Sequence, residues 1–360
     1  TLAAVCDIDP SRRAFAEKTW GVPAFADCAA LLASGTVDAV EIAVPHPLHA
    51  DIAMAALASG VHVLVEKPVD ITVSKAAALN DAAARSGLTF GIMFNQRTNP
   101  LFAKAREIVK GGALGALKRT VWIITNWYRT QHYYDSGSWR ATWSGEGGGV
   151  LLNQAPHNLD LWQWICGMPQ EVTAFCDVAK YHRIEVEDDV TIFTRYAGGA
   201  VGTFITSTGE YPGTNRLEIT GDRGKLVLEN GVLKWWRLAA AERDFCFAAA
   251  ENTPDTAVTY EEIRPDRPET AHAGILQNFT DAVRHGTPLL APGTDGIFEL
   301  TLSNAAYLSQ WTGNSAVSLP FDTALFDRLL QERASRSIAE KTAQTTEKSD
   351  KYADRWQVRW

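Results

Sequence analysis

The sequence predicts an α/β fold in two parts: an incomplete Rossmann-type parallel sheet, then a C-terminal domain with a large, mostly antiparallel sheet that helices cover on one face. Two observations carry this prediction. Up to residue 97, short apolar strands alternate with helices of about 12 residues, which is typical of βαβ units. From residue 117 onward, candidate strands follow one another through short turns, which is typical of antiparallel sheets. The length of 360 residues also favours two domains over one.

The first domain is predicted over residues 1–97 and extends to about residue 116. Its predicted strands are residues 3–8, 37–44, 61–65 and 88–94. Helices are predicted from Pro10 onward, over residues 47–59 and over residues 73–86, with Gly60 and Gly87 ending the last two. Because the strands are mostly apolar, both faces of the sheet should be buried, as they are in parallel sheets.

A sheet of this kind binds its ligand beyond the carboxyl ends of its strands. The predicted cofactor contacts at or near those ends are Asp7, Pro45, His46, His49, Glu66, Lys67 and Asn95. Asp7 is placed to accept hydrogen bonds from the two hydroxyls of an adenosine ribose, and its charge would repel a 2′-phosphate. The expected cofactor is therefore NAD rather than NADP, although Arg12 and Arg13 could meet a 2′-phosphate.

One part of a dinucleotide fold is missing from this sequence. Such folds begin with a strand, a G-x-G-x-x-G loop and a helix, and the acidic residue follows about 20 residues later. Here the chain begins six residues before Asp7, and no other stretch supplies the glycine loop. We expect either a fragment of a longer sequence or a protein that has lost the phosphate cradle.

The second domain is predicted over residues 117–335, and residues 336–360 are expected to form a charged C-terminal extension. Its predicted strands are residues 117–126, 172–178, 189–196, 200–207, 216–220, 225–228 and 232–236. Its predicted helices are residues 100–110, 271–285 and 295–312, which would cover one face of the sheet. The other face would be free to pair with a second copy. We therefore expect a homo-oligomer, either a dimer or a tetramer.

The stretch of residues 145–167 is the strongest candidate for a functional site. It opens with glycines, which let backbone approach a ligand closely, and continues with Asn153, His157 and Asp160 at helical spacing. Pro156 either begins a helix or kinks one, and in both cases His157 and Asp160 should remain a close pair. The alternative is a core histidine that is hydrogen-bonded to Asp160.

Composition argues against several other classes of protein. The net charge is −8 and no basic stripe is present, which disfavours a nucleic-acid partner. No apolar run reaches about 18 residues, so no membrane span is expected, and no signal peptide is evident. The five cysteines lack CxxC spacing, which suggests reduced thiols in a cytoplasmic protein. His46 and His49 are three residues apart, but nothing nearby completes a site, so no metal is expected.

An aromatic and basic loop follows the first strand of the second domain. Trp139 and Trp143 stand there among polar residues, where flat rings could stack on the C–H faces of a sugar. The preferred substrate contacts are Arg140 and Trp143. The other candidates follow a strand, lie in this loop or adjoin His157; they are Asn95, Arg97, Trp127, Tyr128, Arg129, His132 and Asn158.

Three motifs occur in a fixed order along the chain. Val44-Pro45-x-x-x-His49 precedes Glu66-Lys67-Pro68, and Gly147-Gly-Gly…His157-x-x-Asp160 follows both. This order and spacing resemble the glucose–fructose oxidoreductase / inositol dehydrogenase / rhizopine-catabolism (Gfo/Idh/MocA) family over residues 1 to about 330. The resemblance implies hydride transfer between a nicotinamide cofactor and a ring hydroxyl of a sugar, a cyclitol or a sugar derivative.

The resemblance also implies roles for individual residues. Lys67 matches the family's lysine, which contacts the substrate hydroxyl and assists proton transfer. His157 matches the acid/base histidine, and Asp160 matches the acid three residues later. Pro45 matches the proline that lies near the cofactor, and His49 ends the same motif.

The sequence departs from the family pattern D-x-G-x-H at its first position, where Asn153 stands. An amide cannot take a proton, so no carboxylate–histidine relay can pass through residue 153. Either end of the amide could still bind a substrate hydroxyl. Together with the tryptophan-rich loop, this favours a glycoside or a modified sugar over a simple cyclitol.

The chemistry can also be argued from the residues themselves. Oxidation of a secondary alcohol needs a base for the hydroxyl proton, which suits His157, and a cation for the developing alkoxide, which suits Lys67. The expected catalytic residues are Lys67, His157, Asn153 and Asp160, and the expected substrate contacts are Lys67, Arg97, Arg140, Trp143, Asn153 and His157. Two alternatives stay open: NAD-dependent, redox-assisted cleavage of a glycoside, and a non-catalytic sugar- or dinucleotide-binding regulator.

Overall fold

The computed structural model describes residues 1–253 and 256–337. Most of the predicted charged extension, residues 338–360, lies outside the described residues. The chain divides into two compact units: the first holds Thr1–Phe94 and His272–Ile297, and the second holds the other residues that the structure describes. The sequence pattern placed residues 272–297 in the second domain, whereas the structure groups them with the first unit.

Strands and helices alternate in the first unit, and strands predominate in the second. The strands are β1 (Val5–Cys6), β2 (Ala24–Phe25), β3 (Ala39–Ile42), β4 (His62–Val65), β5 (Phe90–Ile92), β6 (Leu117–Ile124), β7 (Glu171–Val178), β8 (Glu187–Arg195), β9 (Val201–Ser207), β10 (Asn215–Gly221), β11 (Gly224–Glu229), β12 (Val232–Leu238), β13 (Val258–Ile263) and β14 (Val317–Ser318). The α-helices are α1 (Pro10–Trp20), α2 (Cys28–Ala33), α3 (His49–Ala58), α4 (Val73–Ser86), α5 (Pro100–Lys110), α6 (Gln131–Asp135), α7 (Val150–Asn153), α8 (Pro156–Cys166), α9 (Glu242–Ala248), α10 (Ala271–His285), α11 (Gly296–Trp311) and α12 (Thr323–Ala334). Short 3-10 helices cover His46–Leu48, Asn95–Thr98 and Gly293–Asp295.

The sheets of the first unit are parallel, which confirms the predicted Rossmann-type fold class. Strand β1 pairs with β2, and β3, β4 and β5 form a second sheet in that order. Local signals set the helix ends: the Asp9 side chain caps α1, and Thr72 and Gly87 bound α4. Strand β2, which has two residues, was not predicted.

The second unit is built on a nine-stranded sheet, counted over the residues that the structure describes. The strand order is β13-β12-β11-β10-β6-β9-β8-β7-β14, and neighbours are antiparallel except for β6 and β9. The seven predicted strands are confirmed. The two edge strands were missed: β13 is exposed along almost its whole length, and β14 has two residues, so neither shows the alternation that marks a half-buried strand.

Burial alternates along the central strands and separates two faces of this sheet. In β8, Val190 and Ile192 are buried, whereas Thr191 is exposed. Helices α5 and α8 cover the buried face, where the Phe102 ring lies 5.7 Å from that of Trp122 and Trp162 stacks on Phe204 at 5.4 Å.

Helix α5 therefore lies on the predicted face of the sheet, whereas α10 falls in the first unit. None of the helices in the described ranges combines the length and apolar composition needed to cross a bilayer.

Candidate active site

The Glu66-Lys67-Pro68 turn follows β4 in the first unit. The end of β4 is fully buried, with Leu64 and Val65 at 1% and 0% exposure, so the start of the turn is anchored. Glu66 and Lys67 are half-buried, and the Lys67 backbone N–H donates to Glu66 Oε2 at 3.2 Å. The turn thus holds Lys67 at the carboxyl end of a parallel strand, the edge at which such sheets bind ligands.

His49 joins this turn to the neighbouring strand end. Its imidazole is 1% exposed, with Nδ1 2.7 Å from the Pro68 carbonyl oxygen and Nε2 2.8 Å from the Val44 carbonyl oxygen. Burial lowers the pKa of His49, and nearby Lys67 lowers it further. We therefore correct the predicted cofactor contact of His49: its side chain positions the backbone around Lys67. His46 is also buried, with its ring 5.9 Å from that of His49.

The resemblance seen in the sequence implies a dinucleotide cofactor, and Asp7 suits the adenosine ribose of such a cofactor. Asp7 directly follows β1, and its side chain is 25% exposed. Its Oδ1 accepts the Asp9 N–H at 2.8 Å, and its Oδ2 lies 3.4 Å from Arg12 Nη1. An accessible carboxylate at this strand end fits the two ribose hydroxyls. The predicted cofactor contacts at Asp7, Pro45, His46, Glu66, Lys67 and Asn95 remain predictions.

In the second unit, the glycines that open the candidate stretch pack against protein atoms. A Cβ on Gly148 would collide with the Tyr307 hydroxyl, and one on Gly149 with the Glu187 carbonyl oxygen. The buried Glu187 carboxylate accepts the N–H groups of Gly149 and Leu151 at 2.9 and 3.0 Å and the Tyr307 hydroxyl at 2.7 Å. Burial raises the pKa of Glu187 to about 7. The missing Cβ atoms of Gly148 and Gly149 therefore allow close packing against the protein, and the approach of a ligand to this backbone stays a prediction.

Pro156 begins a helix and does not kink one. Helix α7 ends at Asn153, and α8 starts at Pro156, where the missing N–H costs nothing. Asn153 and His157 are half-buried, whereas Leu152 and Leu159 beside them are fully buried anchors. Two short helices thus hold the amide and the imidazole.

Asp160 forms a buried ion pair with Arg97. Arg97 Nε lies 2.8 Å from Oδ2 and Nη2 lies 2.6 Å from Oδ1, and each side chain is 1% exposed. Gln163 Nε2 donates to the same carboxylate at 3.0 Å. We therefore correct two predicted roles: Arg97 is too deeply buried to contact a substrate, and the Asp160 carboxylate fixes helix α8, which carries His157, rather than exchanging protons.

Asn153 lies in a hydrogen-bonded network that was not predicted. Its Nδ2 donates to Glu146 Oε1, and its Oδ1 accepts the Tyr133 hydroxyl at 3.3 Å. Arg140 Nη1 and Gln154 Nε2 donate to the Tyr133 oxygen at 2.8 and 3.3 Å. The structure thus brings Arg140 and Asn153, both predicted substrate contacts, into one network.

Little in the sequence signals the other members of this network. Glu146 interrupts a glycine run, which is the one local sign of it, and Tyr133 lies among other aromatic loop residues.

Trp143 is a core residue. It is 8% exposed, and its ring meets those of Tyr307 and Trp311 edge-on at 5.5 and 5.6 Å. We therefore correct its predicted stacking on a sugar. Trp139 is half-buried, and its ring lies 4.7 Å from the Arg140 guanidinium.

The remaining loop candidates fall into two groups. Trp127 is buried, and its Nε1 donates to Asn158 Oδ1 at 3.0 Å, so these two side chains contact each other in the interior. Tyr128 and His132 are exposed, and the Arg129 guanidinium lies 5.0 Å from the Tyr133 ring. Asn95 is half-buried in a 3-10 helix. Across the described residues, no group of three or more His, Cys, Asp or Glu side chains could hold a metal ion.

Two family models match the chain. Residues 1–94 match an oxidoreductase family model with an NAD-binding Rossmann fold, and residues 102–227 match the GFO/IDH/MocA C-terminal domain. The first match lies within the first predicted part, and most of the second match lies within the second predicted part.

Individual proteins show the same similarity. The chain is 27% identical over 250 residues to levoglucosan dehydrogenase of Pseudarthrobacter phenanthrenivorans. This match covers 62% of this chain and 63% of that protein, so it spans less than two thirds of either. It is 24% identical to inositol 2-dehydrogenase of Rhizobium meliloti, covering 78% and 80% of the two chains. The crystal structure of WlbA dehydrogenase from Bordetella pertussis, in complex with NADH and UDP-GlcNAcA, matches with a TM-score of 0.74 at 25% identity, covering 89% of this chain and 91% of that one.

The two family models together span most of the chain, and the motifs around Lys67 and His157 lie on the elements that the resemblance predicted. The chain belongs to the Gfo/Idh/MocA family of oxidoreductases, and its N-terminal part is that family's NAD-binding Rossmann fold.

Proposed function

We propose that the protein is an NAD-dependent oxidoreductase that transfers hydride between nicotinamide and a ring secondary hydroxyl of a sugar, a glycoside or a cyclitol. The observation that carries the proposal is the presence of both reactive family residues: Lys67 follows β4 of the NAD-binding unit, and His157 stands in the first turn of α8. The names of two relatives, levoglucosan dehydrogenase and inositol 2-dehydrogenase, support this substrate class.

Two side chains divide the proton chemistry in this proposal. His157 takes the hydroxyl proton, because imidazole side chains as a class titrate near neutral pH and therefore suit a base. The Lys67 ammonium donates a hydrogen bond to the oxygen as it gains negative charge. A bound nicotinamide would supply the acceptor for the hydride of the carbinol carbon. The substrate thereby becomes a ketone, and the reverse reaction returns the same proton and hydride.

The proposed cofactor is NAD rather than NADP. Asp7 is an accessible carboxylate at the end of β1, and it would repel a 2′-phosphate. Arg12 Nη1 lies 3.4 Å from Asp7 Oδ2, so the carboxylate partly compensates the positive charge of Arg12 that could otherwise attract a 2′-phosphate. Replacement of Asp7 by Ser should raise the KM for NAD⁺ and lower the preference for NAD⁺ over NADP⁺.

The test is a panel of sugars, glycosides and cyclitols, each mixed with the protein and NAD⁺ while the absorbance of NADH is followed. Lys67→Met and His157→Gln should each lower kcat by at least about 100-fold with the best substrate. Lys75→Met and His285→Gln are matched controls, because Lys75 pairs with Asp51 on the surface and His285 is exposed at the end of α10. Wild-type turnover in either active-site variant would contradict the role assigned to that residue.

The same assay separates the proposal from its alternatives. Release of an aglycone without a net change in nicotinamide redox state would indicate redox-assisted glycoside cleavage. Saturable binding of NAD⁺ or sugar without either reaction would indicate a non-catalytic regulator.

We also propose that the chain forms a homo-oligomer through the open face of the nine-stranded sheet. The side chains on this face include Val121, Ile123, Phe193 and Ile205, which are half-buried, and Phe175, which is 57% exposed. A partly exposed sheet face with several large apolar side chains is typical of subunit interfaces. All five cysteines are free thiols, which supports a reducing compartment, and we propose the cytoplasm.

A further inference from the structure

This chain lacks the family's carboxylate at position 153, but it has a buried carboxylate at Glu146 beside that position. Asn153 replaces the family's acid, and the Glu146 side chain accepts a hydrogen bond from Asn153 Nδ2. Glu146 is 1% exposed, and its second oxygen accepts the Ala141 N–H at 2.6 Å. Because a donor faces each oxygen, the carboxylate of Glu146 is used as an acceptor on both sides, which suits its ionised form.

The orientation of the Asn153 amide follows from its two neighbours. The carboxylate of Glu146 can only accept, so the amide nitrogen must face it. The Tyr133 oxygen already accepts from Arg140 and Gln154, so its own hydrogen is left to donate to Asn153 Oδ1. Both ends of the amide are therefore chemically determined. The sequence led us to expect that either end of the Asn153 amide could bind a substrate hydroxyl. The network fixes which end is the nitrogen and which is the oxygen.

A carboxylate at position 153 would not be tolerated in this arrangement. An aspartate there would put two carboxylates in contact, and only one of the pair could be ionised without strong repulsion. The residues at positions 146 and 153 therefore depend on each other: one must carry a carboxylate and the other an amide.

We propose that Glu146 is a positioning residue of the active site, which acts through Asn153 and supplies from a buried position the carboxylate that residue 153 lacks. Glu146 fixes the amide so that Asn153 presents one defined hydrogen-bonding edge to the substrate. The negative charge lies behind the amide and is not presented to the substrate. The kinetic part of this proposal rests on the proposed dehydrogenase function.

An exchange of the two groups tests the proposal. In Glu146→Gln, the nitrogen of the new amide must face either the Ala141 N–H or Asn153 Nδ2. Both of these groups are donors, so one hydrogen bond is lost and two donors face each other. In Asn153→Asp, two carboxylates meet. The double variant Glu146→Gln/Asn153→Asp restores the pattern, because the new amide at position 146 can donate to the new carboxylate at position 153 while its oxygen accepts the Ala141 N–H.

We expect each single variant to lose about 10-fold or more in kcat/KM, and the double variant to recover part of that loss, because it restores the hydrogen bonds but places a carboxylate where the amide stood. The melting temperatures of the four proteins should follow the same order. Asn153→Asp should in addition lose stability relative to wild type as pH rises above about 5, because the two carboxylates then ionise together. The double variant should lack this dependence.

Glu107→Gln is the control for the removal of a carboxylate, because Glu107 is on the surface and pairs with Lys104. Tyr133→Phe is a further variant that leaves Glu146 in place; Tyr133 is half-buried, so the variant should fold, and it should lower kcat/KM in wild type but not further in Glu146→Gln.

A Glu146→Gln variant that behaves like Glu107→Gln, or a double variant no better than the worse single variant, would overturn the proposal. An absence of turnover in the wild type would contradict the proposed function alone, because the order of melting temperatures still decides whether the two groups can exchange places.

Discussion

Removal of one partner of the Arg97–Asp160 ion pair should strongly destabilise the second unit. Two guanidinium N–H groups reach the carboxylate at 2.8 and 2.6 Å, and both side chains are 1% exposed. In Asp160→Asn, the buried guanidinium loses its counter-charge, which typically costs about 3–5 kcal/mol. For a unit of this size, that corresponds to a fall of about 6–20 °C in melting temperature. Thermal unfolding followed by circular dichroism at constant pH measures it.

The control is the Lys104–Glu107 pair, whose charged atoms lie at the similar distance of 2.7 Å but whose side chains are 38% and 69% exposed. Glu107→Gln should change stability by less than about 1 kcal/mol, because water screens the pair. The double variant Arg97→Met/Asp160→Leu should recover part of the loss, since it removes both buried charges. If Asp160→Asn costs no more than Glu107→Gln, burial of the pair does not have the effect assigned to it.

Burial, close packing and the open sheet face each lead to a further prediction. Burial raises the pKa of Glu187 from 4.5 to about 7, so between these pH values the folded protein holds a proton that the unfolded chain releases. The free energy of unfolding should therefore fall by about 3 kcal/mol as pH rises from about 4.5 to about 7. Glu187→Gln should remove this pH dependence, as measured by urea unfolding. Gly149→Ala should cost at least about 1–3 kcal/mol, because the new Cβ collides with the Glu187 carbonyl oxygen, whereas Gly198→Ala, which meets nothing within 4 Å, should be nearly neutral in the same assay. Ile205→Asp on the open sheet face should dissociate the proposed oligomer in sedimentation experiments, and an unchanged sedimentation coefficient would contradict that interface.

The parts of the fold that the sequence predicted are those with local signals. The alternation of apolar and polar residues along β8 is visible in a short window of sequence and matches the alternating burial of that strand. The capping residues Thr72 and Gly87 at the ends of α4 are also local signals. Strand β13 has no such signal, because it lies at the sheet edge with almost every residue exposed. Helix α10 was found as a helix but placed in the wrong unit, since its periodicity does not say which surface it covers.

The candidate site shows the same division. Lys67 and His157 stand in recognisable motifs, so the sequence alone sufficed to single them out. The partner of Asp160 is Arg97, 63 residues away, and the carboxylate that binds Gly149 is 38 residues further along the chain. Such pairs are formed by tertiary packing, and no spacing rule within one element could have predicted them.

The central claim is that hydride passes between nicotinamide and a ring carbon that bears a secondary hydroxyl. The most direct measurement uses the best substrate of the panel, deuterated at that carbon, with NAD⁺ and the wild-type protein, followed by mass spectrometry of the nicotinamide. We predict reduced cofactor that carries one deuterium, and none when Lys67→Met or His157→Gln replaces the wild type. Reduced cofactor without deuterium, or a bound sugar with no reduction of the cofactor, would contradict this claim.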